Sequence, residues 1–249
     1  MFRSIYVSGT AMLTQEKRMD VISNNIANSN TTGFKEDKMI SRSFRDVLIS
    51  ELDESNMINQ TQEVGPFNHG IHVDQVIVDF SGGTPIETEN YTDAAIEGDG
   101  FFVFNTDAGE RYSRNGVFHV TNEGILVNED NLPVQGENGE INVGEGEFTI
   151  LRSGEVYNSD GEQVGRLRLV SFDDNSLLRK EGNNLYYNTT ANMQESAATI
   201  RQGYVESSNV DGVSAMIDMI KTYRNYETNQ KVIQSVDAIA AKTVELGRV

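Results

Sequence analysis

Residues 22–35 read ISNNIANSNTTGFK. Upstream of this stretch the sequence is helical in pattern. Ile5, Met12, Met19 and Ile26 recur every seven residues, and Ile22 fills one intermediate position. Ser8 and Gln15 take the other intermediate positions, so the apolar stripe is narrow and heptad-like. The spacing predicts a helix from about Phe2 to Asn28. Asn24, Asn25, Asn28 and Asn30 load its end with amides, although asparagine favours caps and turns over helix interiors. Gly33 offers the left-handed backbone that ends such a segment. Asn24 and Asn25 lie within the helical register, where each costs a few tenths of a kcal/mol or more relative to alanine. An asparagine amide can bond a neighbouring backbone and fix register, and Ala27 and Ser29 are small enough for close approach. Residue chemistry thus leaves two readings of these amides, a frayed and capped helix end or contacts to a neighbouring backbone.

The carboxyl end mirrors this pattern. From Val210 to Leu246 the apolar residues Val213, Met216, Ile220, Tyr223, Tyr226, Ile233, Val236, Ala240 and Val244 recur mainly at steps of three, four and seven, with no proline. Asn209 or Asp211 can cap the start. About 36 residues predict a helix of roughly 50 Å, well above the globular mean. Between the ends the pattern changes to short strand-like runs: alternating Val76, Val78 and Phe80, then FFVF (101–104), VFHV (117–120), FTIL (148–151) and RLRLVSF (166–172). The turn clusters NEG, NEDN, ENGE and NSDG separate them. The predicted class is α+β: long terminal helices forming a coiled-coil-like pair or tube, and a central antiparallel β domain. The expected segments are a helix over 1–30, an extended or partly helical connector over 31–70, the β domain over 71–204 and a helix over 205–249.

Net charge is −18, and it is unevenly placed. Residues 1–50 carry seven Lys and Arg against five Asp and Glu, and residues 205–249 carry five against six. The middle carries eight against 27. An acidic centre opposes nucleic-acid binding, which needs cations for phosphate. There are no cysteines, so thiol nucleophiles, disulfides and cysteine-based metal sites are excluded. No stretch reaches the roughly 20 apolar residues of a membrane span. The first residues lack the apolar core of a cleavable export signal.

Catalytic chemistry has no foothold in the motifs. There is no GxSxG, phosphate loop or HExxH pattern. His69 and His72 could share a metal only on a helix, which Gly70 opposes. Gly98 and Gly100 lack the third glycine of a dinucleotide fingerprint. No enzyme activity, cofactor or metal is expected.

Several blocks match a known family. DVISNNIANSNTTGFK (20–35) resembles the amino-terminal signature of the axial rod and hook proteins of the bacterial flagellar basal body. AIEGDGFFVF (95–104), RYSRNGVFHV (111–120) and GILVNEDNLPVQG (124–136) resemble its central block, and FDDNSLLRKEGNNLYYNT (172–189) a further one. YVESSNVDGVSAMIDMIKTYRNYETNQKVI (204–233) resembles its carboxyl signature. The resemblance implies a structural, non-enzymatic rod subunit in the basal body. Its terminal helices would line an inner tube, with the β domain outside. Its partners would be copies of itself, other rod or hook subunits, and the flagellar export apparatus that passes it without a cleaved signal. It further implies subunit contacts through Ile5, Met12, Met19, Ile22, Asn24, Asn25, Ile26, Asn28, Asn30, Gly33, Ser208, Asn209, Val210, Met216, Ile220, Tyr223, Tyr226, Ile233 and Val236. The rival reading of the same organisation is a β-rich surface binding module, or a filament cap, with a coiled-coil handle.

Overall fold

A computed structural model describes residues 2–44, 47–51, 62–67 and 70–247. His69 lies outside them. The chain is α+β, with one long helix at each end: α1, Phe2–Ala27, and α2, Gly212–Leu246. It divides into two compact units. One comprises Met1–Ile26, Asp37–Ile77 and Gly212–Val249; the other comprises Ala27–Glu36 and Val78–Asp211.

The first unit holds most of both helices and a strand-rich excursion. Strand β1, Glu36–Ser43, pairs with β4, Ile71–Asp79, and Arg42 bonds Asp74 at 2.9 Å. Between them β2, Val47–Glu51, pairs antiparallel with β3, Gln62–Phe67. Two-stranded ribbons are marginal alone. Polar β1, EDKMISRS, accordingly shows no sharp alternation in burial.

The second unit is an antiparallel β domain with a two-sided core. Strand β5, Pro85–Glu87, pairs with Tyr204–Glu206, and β6, Ala94–Glu97, with Thr199–Gln202. Strand β7, Phe101–Thr106, and β8, Gly109–Ser113, form the centre of a six-stranded sheet. On the β8 side follow Leu185–Asn188 and then Leu178–Gly182; on the β7 side follow Leu169–Phe172 and then Met193–Glu195. The FFVF run shows why β7 is central. Strand side chains alternate faces, so Phe102 and Phe104 join one core with Phe118, Leu126, Val134 and Leu169. Phe101 and Val103 join the other, with Tyr112, Val170, Phe172 and Tyr186. All four FFVF residues are essentially fully buried. Aromatic edges lock the second core: Phe80 meets Phe101 at 5.4 Å and Tyr186 at 5.0 Å between ring centroids.

Candidate assembly interface

The two helices expose what a stable lone helix would cover. Along α1, Ile5, Met12, Met19, Ile22 and Ile26 are half-buried, while Tyr6 and Leu13, one heptad apart, are exposed. Its fully buried positions are the small polar residues Ser8 and Thr14, and Asn25. The Thr14 hydroxyl donates to the Thr10 carbonyl at 2.9 Å, so burial leaves it satisfied.

Helix α2 carries two apolar stripes. The first runs through Ala215, Met219, Thr222, Tyr226, Asn229, Ile233, Val236 and Ala240, in unbroken steps of four and three. Every one of these is buried or half-buried. The second begins at Val213 and continues through Met216, Ile217, Ile220 and Tyr223; Met216, Ile220 and Tyr223 are 55%, 54% and 59% exposed. The residues expected to meet neighbours therefore divide. Tyr226, Ile233 and Val236 lie on the covered stripe, and Met216, Ile220 and Tyr223 on the open one.

The asparagine stretch also divides. Asn25 is 4% exposed, and its amide is used within the chain. Its Nδ2 donates to the Asp37 carbonyl at 2.9 Å, and its Oδ1 accepts from the Asp37 N–H at 3.0 Å. This two-point pairing imitates a neighbouring strand at the start of β1. Asn28 accepts the Thr31 hydroxyl at 3.2 Å, closing the turn after α1. Asn24 and Asn30 are exposed. Gly33 has φ +66° and is buried; a Cβ there would lie 2.5 Å from the Asn115 backbone nitrogen. Its role is thus close packing on the β domain, six residues past the end of α1.

Lys35, absent from the residues singled out by sequence, is the most unusual group nearby. It is fully buried, donating to Glu206 at 2.5 Å and to the Ser81 carbonyl at 2.8 Å. Glu206 also accepts from the Gly83 N–H at 2.7 Å and stands 3.5 Å from Arg114, itself buried. Burial pulls the Lys35 ammonium below its ordinary range, and the Glu206 carboxylate opposes that. Burial likewise lowers Arg114, again opposed by Glu206. Sequence signals could not pair residues 171 positions apart.

The residues 208–210 are structural members of the same junction. Asn209 Oδ1 accepts from the Glu36 N–H at 2.8 Å, and its Nδ2 donates to the Asp79 carbonyl at 2.8 Å and the Ser81 hydroxyl at 3.0 Å. Ser208 Oγ accepts from the Val210 N–H at 3.2 Å, and Val210 is buried.

Among the described residues no group of three or more His, Asp or Glu is placed to hold a metal. His72 stacks on Phe44 at 4.8 Å, and His119 meets the Asn131 side chain at 3.2 Å. Among the described residues no helix is long and apolar enough to cross a membrane.

Comparison with known proteins covers both helices and the β domain. Residues 5–35 match the family model described as flagella basal body rod protein. Residues 95–158 match the flagellar hook protein FlgE/F/G D1 domain, and 201–246 the flagellar basal body rod FlgEFG protein C-terminal. Flagellar basal-body rod protein FlgF of Caulobacter vibrioides is 34% identical over the whole of both chains. Flagellar basal-body rod protein FlgG of Bacillus subtilis is 32% identical and flagellar hook-basal body complex protein FlhO of the same organism 30%, each over the whole of both chains.

Proposed function

The chain belongs to the flagellar basal-body rod family, as a structural subunit of the rod, and from that premise we propose that it polymerises through its terminal helices into a hollow, torque-transmitting shaft. The observation that carries this is the open apolar ladder of α2, Val213, Met216, Ile217, Ile220 and Tyr223. Fully burying one such side chain is worth about 1.5–3 kcal/mol, and these are already about half covered. Five of them therefore yield about 5 kcal/mol at one contact. Association costs about 4–15 kcal/mol in lost freedom. A single pair of copies thus gains little, whereas a subunit contacting several neighbours in a non-closing helical array gains several times over.

In this arrangement the helices of residues 1–30 and 205–249 line the inner tube, and the acidic β domain faces outward. Copies of the chain and other rod or hook subunits are the neighbours. Asn24, Asn28 and Asn30 set axial register, Tyr6 and Leu13 supply the matching contacts on α1, and the Asn25 amide holds β1 in place beneath them. The chain travels unfolded through the flagellar export apparatus. It performs no catalysis.

The test is the double variant Met216→Lys, Ile220→Lys in the full chain. Both positions are exposed, so the purified protein keeps its secondary structure and its proteolytic pattern. In a strain lacking the native gene it fails to build rods, and motility is lost. Normal basal bodies and swimming with this variant would refute the proposal.

A further inference from the structure

Glu206 carries more of the junction than one side chain ordinarily does. Its backbone carbonyl accepts from the Gly33 N–H at 2.8 Å, and its carboxylate holds Lys35 and the Gly83 N–H. Arg114 completes the cluster, donating to the Gly98 carbonyl at 2.9 Å with its guanidinium 5.1 Å from the centre of the Phe101 ring. The 3.5 Å approach of Arg114 Nη1 to Glu206 Oε2 is an ion pair without a hydrogen bond. Two buried cations thus share one buried anion. Asp79 and Asp99 add only weaker through-space attraction.

This charge balance imposes an order on folding. Residues 31–36 cannot lie against the β domain without burying the Lys35 ammonium and the Phe34 ring together, since both are buried there. An ammonium taken out of water without its anion is strongly disfavoured. The anion arrives on Tyr204–Glu206, which follows the other strands of the β domain in sequence.

We propose that Glu206 is a keystone: the root of α1, residues 31–36, docks on the β domain only once the strand bearing Glu206 is in place. The amino-terminal helix is thereby anchored by a strand that follows nearly all of the β domain in sequence, and the root stays loose until that strand is in place. Because two cations face one anion, the device is asymmetric. Removing the anion strands both cations, whereas removing Lys35 leaves a balanced Arg114–Glu206 pair.

Hydrogen exchange on three full-length variants tests this: Glu206→Gln, Lys35→Met, and the two combined. In Glu206→Gln the amides of 31–36 exchange at least about 100-fold faster, the lower end of what stripping one partner from a buried pair costs. In Lys35→Met they stay within about tenfold of the wild type, because no buried charge is left alone. The combined variant regains at least about tenfold protection over Glu206→Gln, even if that single variant unfolds more widely, since one of the two stranded cations is gone. Wild-type exchange at 31–36 in Glu206→Gln, or no recovery in the combined variant, overturns the proposal.

Discussion

Replacing Asn25 by alanine separates two roles that an amide at this place could have. In the structure both halves of the carboxamide are committed to Asp37, at 2.9 and 3.0 Å. Alanine removes both bonds to the Asp37 backbone. Losing a bond to a buried polar group costs about 1–3 kcal/mol. Asp37 is only half-buried, so the lower end applies to both, about 2–3 kcal/mol in total. Alanine returns about 0.5 kcal/mol through its better helix propensity. The net loss of about 2 kcal/mol makes the Asp37 amide exchange roughly 30-fold faster in the unassembled protein. Asn25→Asp keeps the shape but replaces the donor with an acceptor facing the Asp37 carbonyl, so its loss is at least as large. Hydrogen exchange read by NMR at Asp37 measures both. Protection unchanged within about threefold, an energy below 1 kcal/mol, would mean that the amide serves neighbouring subunits and not β1.

Two further outcomes concern Gly33 and Tyr112. Gly33→Ala forces a side chain into left-handed backbone at about 1–2 kcal/mol and drives its Cβ onto Asn115, so protease cleavage within 31–36 rises while the six-stranded sheet stays protected; resistance equal to the wild type would refute that packing. Burial, reinforced by the nearby Glu110 carboxylate, pushes the Tyr112 phenol up to about 12. The folded state therefore holds this proton more tightly than the unfolded state, so the stabilisation is complete below pH 10 and is lost as pH climbs from 10 towards 12. Urea midpoints at pH 9, 10 and 11 show a fall, worth up to about 2–3 kcal/mol by pH 12, that Tyr112→Phe reduces; an identical slope in that variant would remove Tyr112 as its source.

Both helices were legible because heptad spacing survives in Ile5, Met12, Met19 and Ile26, and in the steps of α2. The β domain was legible where strands are bounded by turn clusters, as at FFVF and RLRLVSF. Residues 36–79 were harder. Their ribbons draw on pairing between distant segments, and β1 has no alternation to betray it. Within α2, periodicity could not say which stripe turns inward, since the stripe of Tyr226, Ile233 and Val236 and that of Met216, Ile220 and Tyr223 have the same spacing. Burial alone separates them. Lys35 was invisible for a different reason. A lysine after Phe34 reads as solvated surface unless Glu206 is already known to lie beside it.

Asn209 ties Glu36 to Asp79 through a single carboxamide, so the intervening residues leave and return at one fixed gate. The pairing of β1 with β4 brings the same two ends together. Loss of the Asn209 carboxamide would therefore loosen the departing and the returning strand at once.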